Sequence, residues 1–324
     1  MDLEKEEILK IINDNIEYYD LLPLNRFVNL ISNQLVELYD VYNKLRKFVT
    51  LRGMDNSPQE VQMEVLRSLY DIDKDLGVEL YGIFNGYDPD KLFKHIVDES
   101  DPDYGDDKCL DIEGEVKVMC VTMAYNSYDY ARVAHESGHI LSAYRITKNG
   151  QLTSEIESMF LENIISLDLV ERGIITQDDY DRQCRANHLA LRVYVMNILG
   201  QNAVLNAVHN PVEADDLIRV HHTYRGTPKF RLILKAVNDL TTPDSFELMN
   251  YCIRYVVGDV ISHSMITEYK VRKRAVMAKY KEYLKSDNDF DIEEACEFLT
   301  GMTFEEALNV YIRDIKEDKR LYRR

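Results

Sequence analysis

Only 13 glycines and 7 prolines interrupt this chain of 324 residues, and that scarcity constrains its fold more than any other feature. Tight turns and bulges need such breakers, so the chain is predicted to form long helices rather than many short strands. The apolar residues agree, recurring mostly at helical spacing. Ile8, Ile11, Ile12 and Ile16 make one stripe, and Phe27, Leu30, Ile31, Leu35 and Leu38 another. The same periodicity predicts helices at 58–80, 88–99, 176–208, 212–222, 229–239, 243–285 and 303–317. One stretch departs from it. Cys109–Ile112, then Glu113-Gly114, then Val116–Thr122 carries β-branched residues around a glycine turn and reads as a β-hairpin.

No internal repeat, low-complexity tract or Pro/Gly/Ser linker marks a boundary. The expectation is one mainly α domain over 1–324, with a helical N-terminal part at 1–105 and the functional part at 106–324. The 57 acidic against 39 basic side chains leave a formal charge of −18, which repels phosphate backbones and anionic headgroups. Nucleic acid and membrane are therefore not expected as partners. The charged, periodic first residues do not read as a signal peptide, and no apolar run is long enough to span a bilayer. Five widely spaced cysteines without a C-x-x-C pair fit neither a disulfide framework nor a thiolate metal site, so a reducing cytoplasm is the expected setting.

The chemistry concentrates in His135-Glu136-Ser137-Gly138-His139. Histidines four residues apart on a helix project from one face a turn apart, where two imidazoles can reach one tetrahedral zinc. Glu136 sits about 100° round the helix. There a carboxylate can take a proton from water that the zinc has acidified without itself ligating the metal. The carrying helix is predicted to start at Asn126 or Ser127, either of which can cap it. Gly138 costs that helix about 1 kcal/mol relative to alanine, a sign of tight packing.

A catalytic zinc takes a third protein ligand and keeps one position open. The next helix is predicted to start at Ser154, with Ser154 and Glu157 forming a capping box. It offers Glu155, Glu157 and Glu162. Glu155 and Glu162 share a face, whereas Glu157 lies nearly opposite Glu155. With Glu157 assigned to the cap, Glu155 is the expected ligand and Glu162 the carboxylate that orients a ligating histidine. A di-iron bundle would need the E-x-x-H motif twice, and Glu136–His139 is its single instance here.

H-E-S-G-H followed by Glu155, Ser158 and Glu162 resembles the oligoendopeptidase F and thimet oligopeptidase group of zinc peptidases. That group's pattern is H-E-x-G-H and then a glutamate with serine three and glutamate seven residues later, which independently favours Glu155. Val116 to Tyr125 resembles the family's strand before the active-site helix, along whose edge a peptide substrate lies as an added strand. Tyr251-Cys-Ile-Arg-Tyr255-Val-Val-Gly258 resembles its tyrosine-rich helix ending in glycine. The resemblance implies oxyanion donors at Tyr255 and, second, Tyr251. The match covers roughly residues 115–315 and departs from the family in three places. The loop from His139 to Glu155 is short. Ser245 stands where the family has a histidine, a substrate contact that His221-His222 could supply instead. The chain is also much shorter than typical members, which implies a reduced N-terminal roof over the substrate channel.

The resemblance therefore implies a zincin-like helical metallopeptidase domain, mainly α, with a small β-sheet next to the active-site helix. One zinc per chain is held by His135, His139 and Glu155, and Glu136 is the general base acting on a peptide substrate. Zinc carboxypeptidases that share H-E-x-G-H and a downstream Glu-Asn, as at Glu162-Asn163, are the alternative enzyme. A non-catalytic zinc-fold binding protein is the alternative of another class.

Overall fold

The computed structural model of the chain describes residues 22–45, 49–96, 108–112, 116–142, 150–209, 244–286 and 289–322. The Ile8–Ile16 stripe, the helices expected at 212–222 and 229–239, His221-His222 and the Glu113-Gly114 turn lie outside them. So does the 105/106 division. The described residues are mainly helical, with a small three-stranded sheet. No helix among them is long and apolar enough to cross a membrane.

The chain divides into two compact units, each assembled from separate stretches. One comprises 1–45, 188–256 and 312–317; the other comprises 46–187, 257–311 and 318–324. In the first, helices α1 (Leu22–Leu30) and α2 (Ser32–Asn43) bury Val28, Leu35, Leu38 and Val41. The helical stripe expected there breaks at Ile31, and Leu30 is exposed rather than part of the core.

The second unit opens with α3 (Pro58–Ile72) and α4 (Lys74–Phe84), where one helix was expected over 58–80. Apolar periodicity continues across the join, but Asp73 leaves helical geometry (φ −148°, ψ 111°), and its carboxylate caps α4 by accepting from Asp75 and Leu76 N–H. Ser57 and Glu60 make a capping box on α3, with Pro58 in the first turn, where its missing N–H costs nothing.

The helix expected over 88–99 is instead strand β1 (Lys91–Ile96). It pairs parallel with β3 (Val116–Thr122), while β2 (Lys108–Ile112) pairs antiparallel with β3 as the hairpin reading required. Tertiary pairing overrides local propensity at β1, and Phe93 packs its ring 4.6 Å from that of Phe84. The sheet order β1-β3-β2 makes β3 the central strand. Over Lys117–Cys120 both of its edges are paired, so the expectation of an open substrate edge on this strand does not hold there. Met119, Cys120 and Val121 are correspondingly buried.

Then follow α5 (Asp129–Leu141), the short α6 (Gly150–Thr153), α7 (Glu155–Glu171) and α8 (Gln177–His209). After them come α9 (Asp244–Lys285), α10 (Ile292–Thr300), α11 (Phe304–Glu317) and α12 (Lys319–Tyr322). The helices expected over 176–208, 243–285 and 303–317 thus match α8, α9 and α11 to within one residue at each end, with α9 kinked at Arg272.

Candidate active site

Helix α5 carries His135, Glu136 and His139, and its two ends are fixed by side chains. It begins at Asp129, two to three residues later than expected, because Asn126 turns the chain: its side chain accepts from Tyr128 N–H at 2.8 Å. The buried Asp129 carboxylate then accepts the N–H groups of Ala124 and Asn126, both at 3.0 Å. Burial pushes its pKa up, and those two N–H groups pull against the shift. At the other end Lys117 of β3 donates to the carbonyls of His139 (3.2 Å) and Ser142 (2.6 Å). A cation there satisfies terminal acceptors and complements the helix dipole.

Helices α5 and α7 cross at Gly138. A Cβ on Gly138 would lie 2.5 Å from Ser158 Cα and 2.8 Å from the Glu157 carbonyl oxygen, so only a bare α-carbon lets the backbones approach this closely. The tight packing expected of Gly138 is found. Gly258 of α9 does the same against Glu155, where a Cβ would stand 2.7 Å from Glu155 Cβ. Gly138→Ala tests the crossing. Helix propensity alone favours alanine by about 1 kcal/mol, whereas overpacking costs about 1–3 kcal/mol. We expect thermal melts to show destabilisation; a raised melting temperature would count against the close crossing.

That crossing brings the start of α7 to the two histidines. Glu155 Oε2 lies 3.2 Å from His135 Nε2 and 3.5 Å from His139 Nε2. Ser158 Oγ, one turn along, donates to the same oxygen at 3.3 Å. His135 presents its other nitrogen, Nδ1, to Glu162 Oε2 at 3.0 Å. Glu136, buried beside them, places a carboxylate oxygen within 4.8 Å of the imidazole nitrogens.

Glu136 and Glu155 are thus both near enough to the two imidazoles to be considered as the third ligand. Ligand atoms about 2.0–2.1 Å from a tetrahedral zinc stand about 3.3 Å apart. The 3.2 and 3.5 Å separations from Glu155 match that edge, so Glu155 fits the place of a third ligand beside the two imidazoles. The donor set, two imidazoles and one carboxylate, is a zinc set, so the residues present fit the ion that the motif implies.

The electrostatics of these groups are coupled. Burial alone would lower the histidine pKa values, but Glu155 and Glu162 outweigh it at His135 and hold it well above 6.5. For His139 burial is likewise outweighed, chiefly by Glu155. Burial would raise Glu155, yet His139 and His135 hold it well below 4.5.

Two expectations are corrected in α7. Ser154 is helical (φ −65°, ψ −17°) because α6 runs directly into α7, and its side chain caps nothing, so the Ser154–Glu157 capping box is absent. Glu157 is instead buried, and its backbone carbonyl accepts from Tyr280 Oη at 2.8 Å. Tyr251 and Tyr255 belong to the other compact unit, where their rings stand 4.8 Å apart beside Tyr194 and the Arg254 guanidinium lies over both. The helix that carries them runs on through Gly258 rather than ending there.

Sequence reasoning missed Lys117, Tyr128, Gln183 and Asn187. Glu162 Oε1 accepts from Gln183 Nε2 and Asn187 Nδ2, each at 2.9 Å, and Tyr128 donates to Asn187 Oδ1 at 2.8 Å. The available signal was a pair of amides four residues apart, continuing the helical row of Leu191, Val195 and Ile198 in α8.

No family model matches the chain, and no curated protein matches it by sequence. Two solved structures share its fold. One is a Bacillus anthracis str. Ames protein provisionally named oligoendopeptidase F, at 13% identity and a TM-score of 0.54. The other is a provisionally named peptidase from Chlamydophila abortus, at 12% identity and a TM-score of 0.53. Each alignment covers 96% of this chain and 55% of the other, so the chain spans about half the length of the structures it matches.

Proposed function

We propose that this chain is a zinc-dependent peptidase of the oligoendopeptidase kind. The observation that carries the reading is the triangle of His135 Nε2, His139 Nε2 and Glu155 Oε2 with Glu136 beside it. Those three residues would hold the ion. A zinc bound there supplies Lewis acidity, polarising a peptide carbonyl and making water acidic enough to lose a proton near neutral pH.

The remaining work belongs to the chain's own side chains. Glu136 takes the proton of the attacking water on a carboxylate oxygen and delivers it to the leaving amine. Glu162 holds His135 through Nδ1, so that Nε2 faces the ion. By the resemblance alone, Tyr255, with Tyr251 second, would donate a phenolic hydrogen bond to the oxyanion as the carbonyl becomes tetrahedral. Short peptides are the proposed substrates.

A digest of a mixed peptide library read by mass spectrometry, with and without chelator, tests the reading alongside metal analysis. We expect one zinc per chain and internal cleavages that the chelator abolishes. Stepwise loss of C-terminal residues would favour the carboxypeptidase alternative, and one zinc without turnover would leave a binding protein.

Metal removal also carries a pH signature. In the metal-free protein the raised His135 and His139 stabilise the fold at low pH, and this contribution is lost as pH rises through their elevated values. The lowered Glu155 stabilises above 4.5 and loses that contribution as pH falls through its depressed value. Zinc needs neutral imidazoles and replaces the protons. The drop in melting temperature on chelation is therefore expected to be larger at pH 9 than at pH 6. An equal or smaller drop at pH 9 would contradict the coupling.

A further inference from the structure

Glu162 stands between a candidate ligand and a set of amide donors. Its Oε2 is 3.0 Å from His135 Nδ1, while its Oε1 accepts from both Gln183 Nε2 and Asn187 Nδ2 at 2.9 Å. The two amides sit four residues apart, on one face of α8. Gln183 also makes longer contacts to Ser166 Oγ, at 3.3 and 3.5 Å. The far end of Asn187 accepts from Tyr128 Oη at 2.8 Å, and Tyr128 immediately precedes α5, the helix that carries His135. The chain of contacts runs from His135 through Glu162, Asn187 and Tyr128 back to the start of the same helix.

The chemistry allows this circuit one orientation. A primary amide is nearly symmetric in shape but not in polarity, and an ionised carboxylate only accepts. If Asn187 were flipped, its carbonyl would oppose the Glu162 carboxylate. With its NH2 on Glu162, its carbonyl is left for a donor, and the Tyr128 hydroxyl supplies one. Two donors on Oε1 leave Oε2 as the oxygen for His135, which fixes the rotation of the carboxylate and through it the plane of the imidazole. Aliphatic side chains at 183 and 187 would fill a helix face as well, whereas buried amides are costly unless their bonds are made. Gln183 is buried, and its bonds are made to the carboxylate that holds His135.

We infer that Asn187, supported by Gln183 and Tyr128, is a positioning residue that sets the direction in which His135 Nε2 points. Its meaning for catalysis rests on the zinc-peptidase reading; the orientation of His135 does not. An outer partner of this kind typically changes metal affinity about 10- to 100-fold when lost.

The test compares Asn187→Asp, Asn187→Ala and Tyr128→Phe in the full chain, with two readouts. One is the solvent exchange of the His135 Nδ1–H proton in metal-free protein, followed by NMR. The other is the zinc dissociation constant, from competition with a chromophoric chelator. Asp matches Asn in shape but opposes Glu162 with negative charge, so we expect it to do most harm, weakening zinc binding about 10-fold or more. Ala is expected to do less and Tyr128→Phe least, with faster Nδ1–H exchange in the same order. A packing role reverses that order, because Ala leaves a gap and Asp does not. Ala harming as much as Asp, or unchanged Nδ1–H exchange in every variant, would overturn the inference. If Asn187→Asp does not fold, faster exchange in both Tyr128→Phe and Asn187→Ala supports the inference, and unchanged exchange in both overturns it. If the parent chain binds no zinc, the peptidase reading fails, while the exchange order in metal-free protein still decides the role of Asn187.

Discussion

Glu136→Gln is expected to keep zinc binding and to lose nearly all hydrolysis, a fall in kcat of about a hundred- to ten-thousand-fold. The substitution keeps the volume of a buried side chain on α5 and removes its capacity to take a proton. Its carboxylate lies near the histidine nitrogens, but the proposed ligands are His135, His139 and Glu155, so the metal site should survive. Metal analysis and peptide turnover on the same preparation separate the two effects. Zinc lost together with activity would make Glu136 a ligand rather than a base. Activity retained near the parent level would remove Glu136 from the chemistry altogether. KM should change little, because the side chain acts on a proton rather than on substrate binding.

The parts of this site that could be read from sequence are those that helical geometry alone places. His135 and His139 share a face by their four-residue spacing, and Glu155 and Glu162 share one by their spacing of seven; the structure puts all four together. Gly138 was legible for a similar reason, since a glycine inside a helix is costly and a close crossing explains it. The long helices followed from the lack of breakers. The failures share a cause of the opposite kind. Lys91–Ile96 is a strand because β3 pairs with it, and nothing local to it announces that partner. Ser154 fails as a cap because the preceding four residues are themselves helical. Asp73 ends one helix and caps the next within a periodic run, where an apolar count sees no break. Lys117, Gln183, Asn187 and Tyr128 act on groups between 21 and 59 residues away, a distance that spacing rules cannot bridge.

Two sequence arguments favour Glu155 over Glu157, a capping box at Ser154–Glu157 and the resemblance to the peptidase pattern. The box is absent, so the choice rests on the resemblance and on the short distances from Glu155 to the two imidazoles, and substitution tests it directly. Glu155→Gln should abolish tight zinc binding, beyond the 10- to 100-fold that an outer partner typically costs. Glu157→Gln, two residues along the same helix and equally buried, should leave zinc affinity near the parent value. The metal-free protein offers a second readout. The raised His139 pKa rests chiefly on Glu155, with burial opposing it. Without that carboxylate burial gains ground, and His139 should titrate at lower pH than in the parent chain. In Glu157→Gln its titration should stay where it was. An NMR titration of the histidine ring protons follows this without any metal present. If Glu157→Gln instead loses zinc and moves the His139 titration, the third ligand is Glu157, and α7 must turn about its axis in the metal-bound protein.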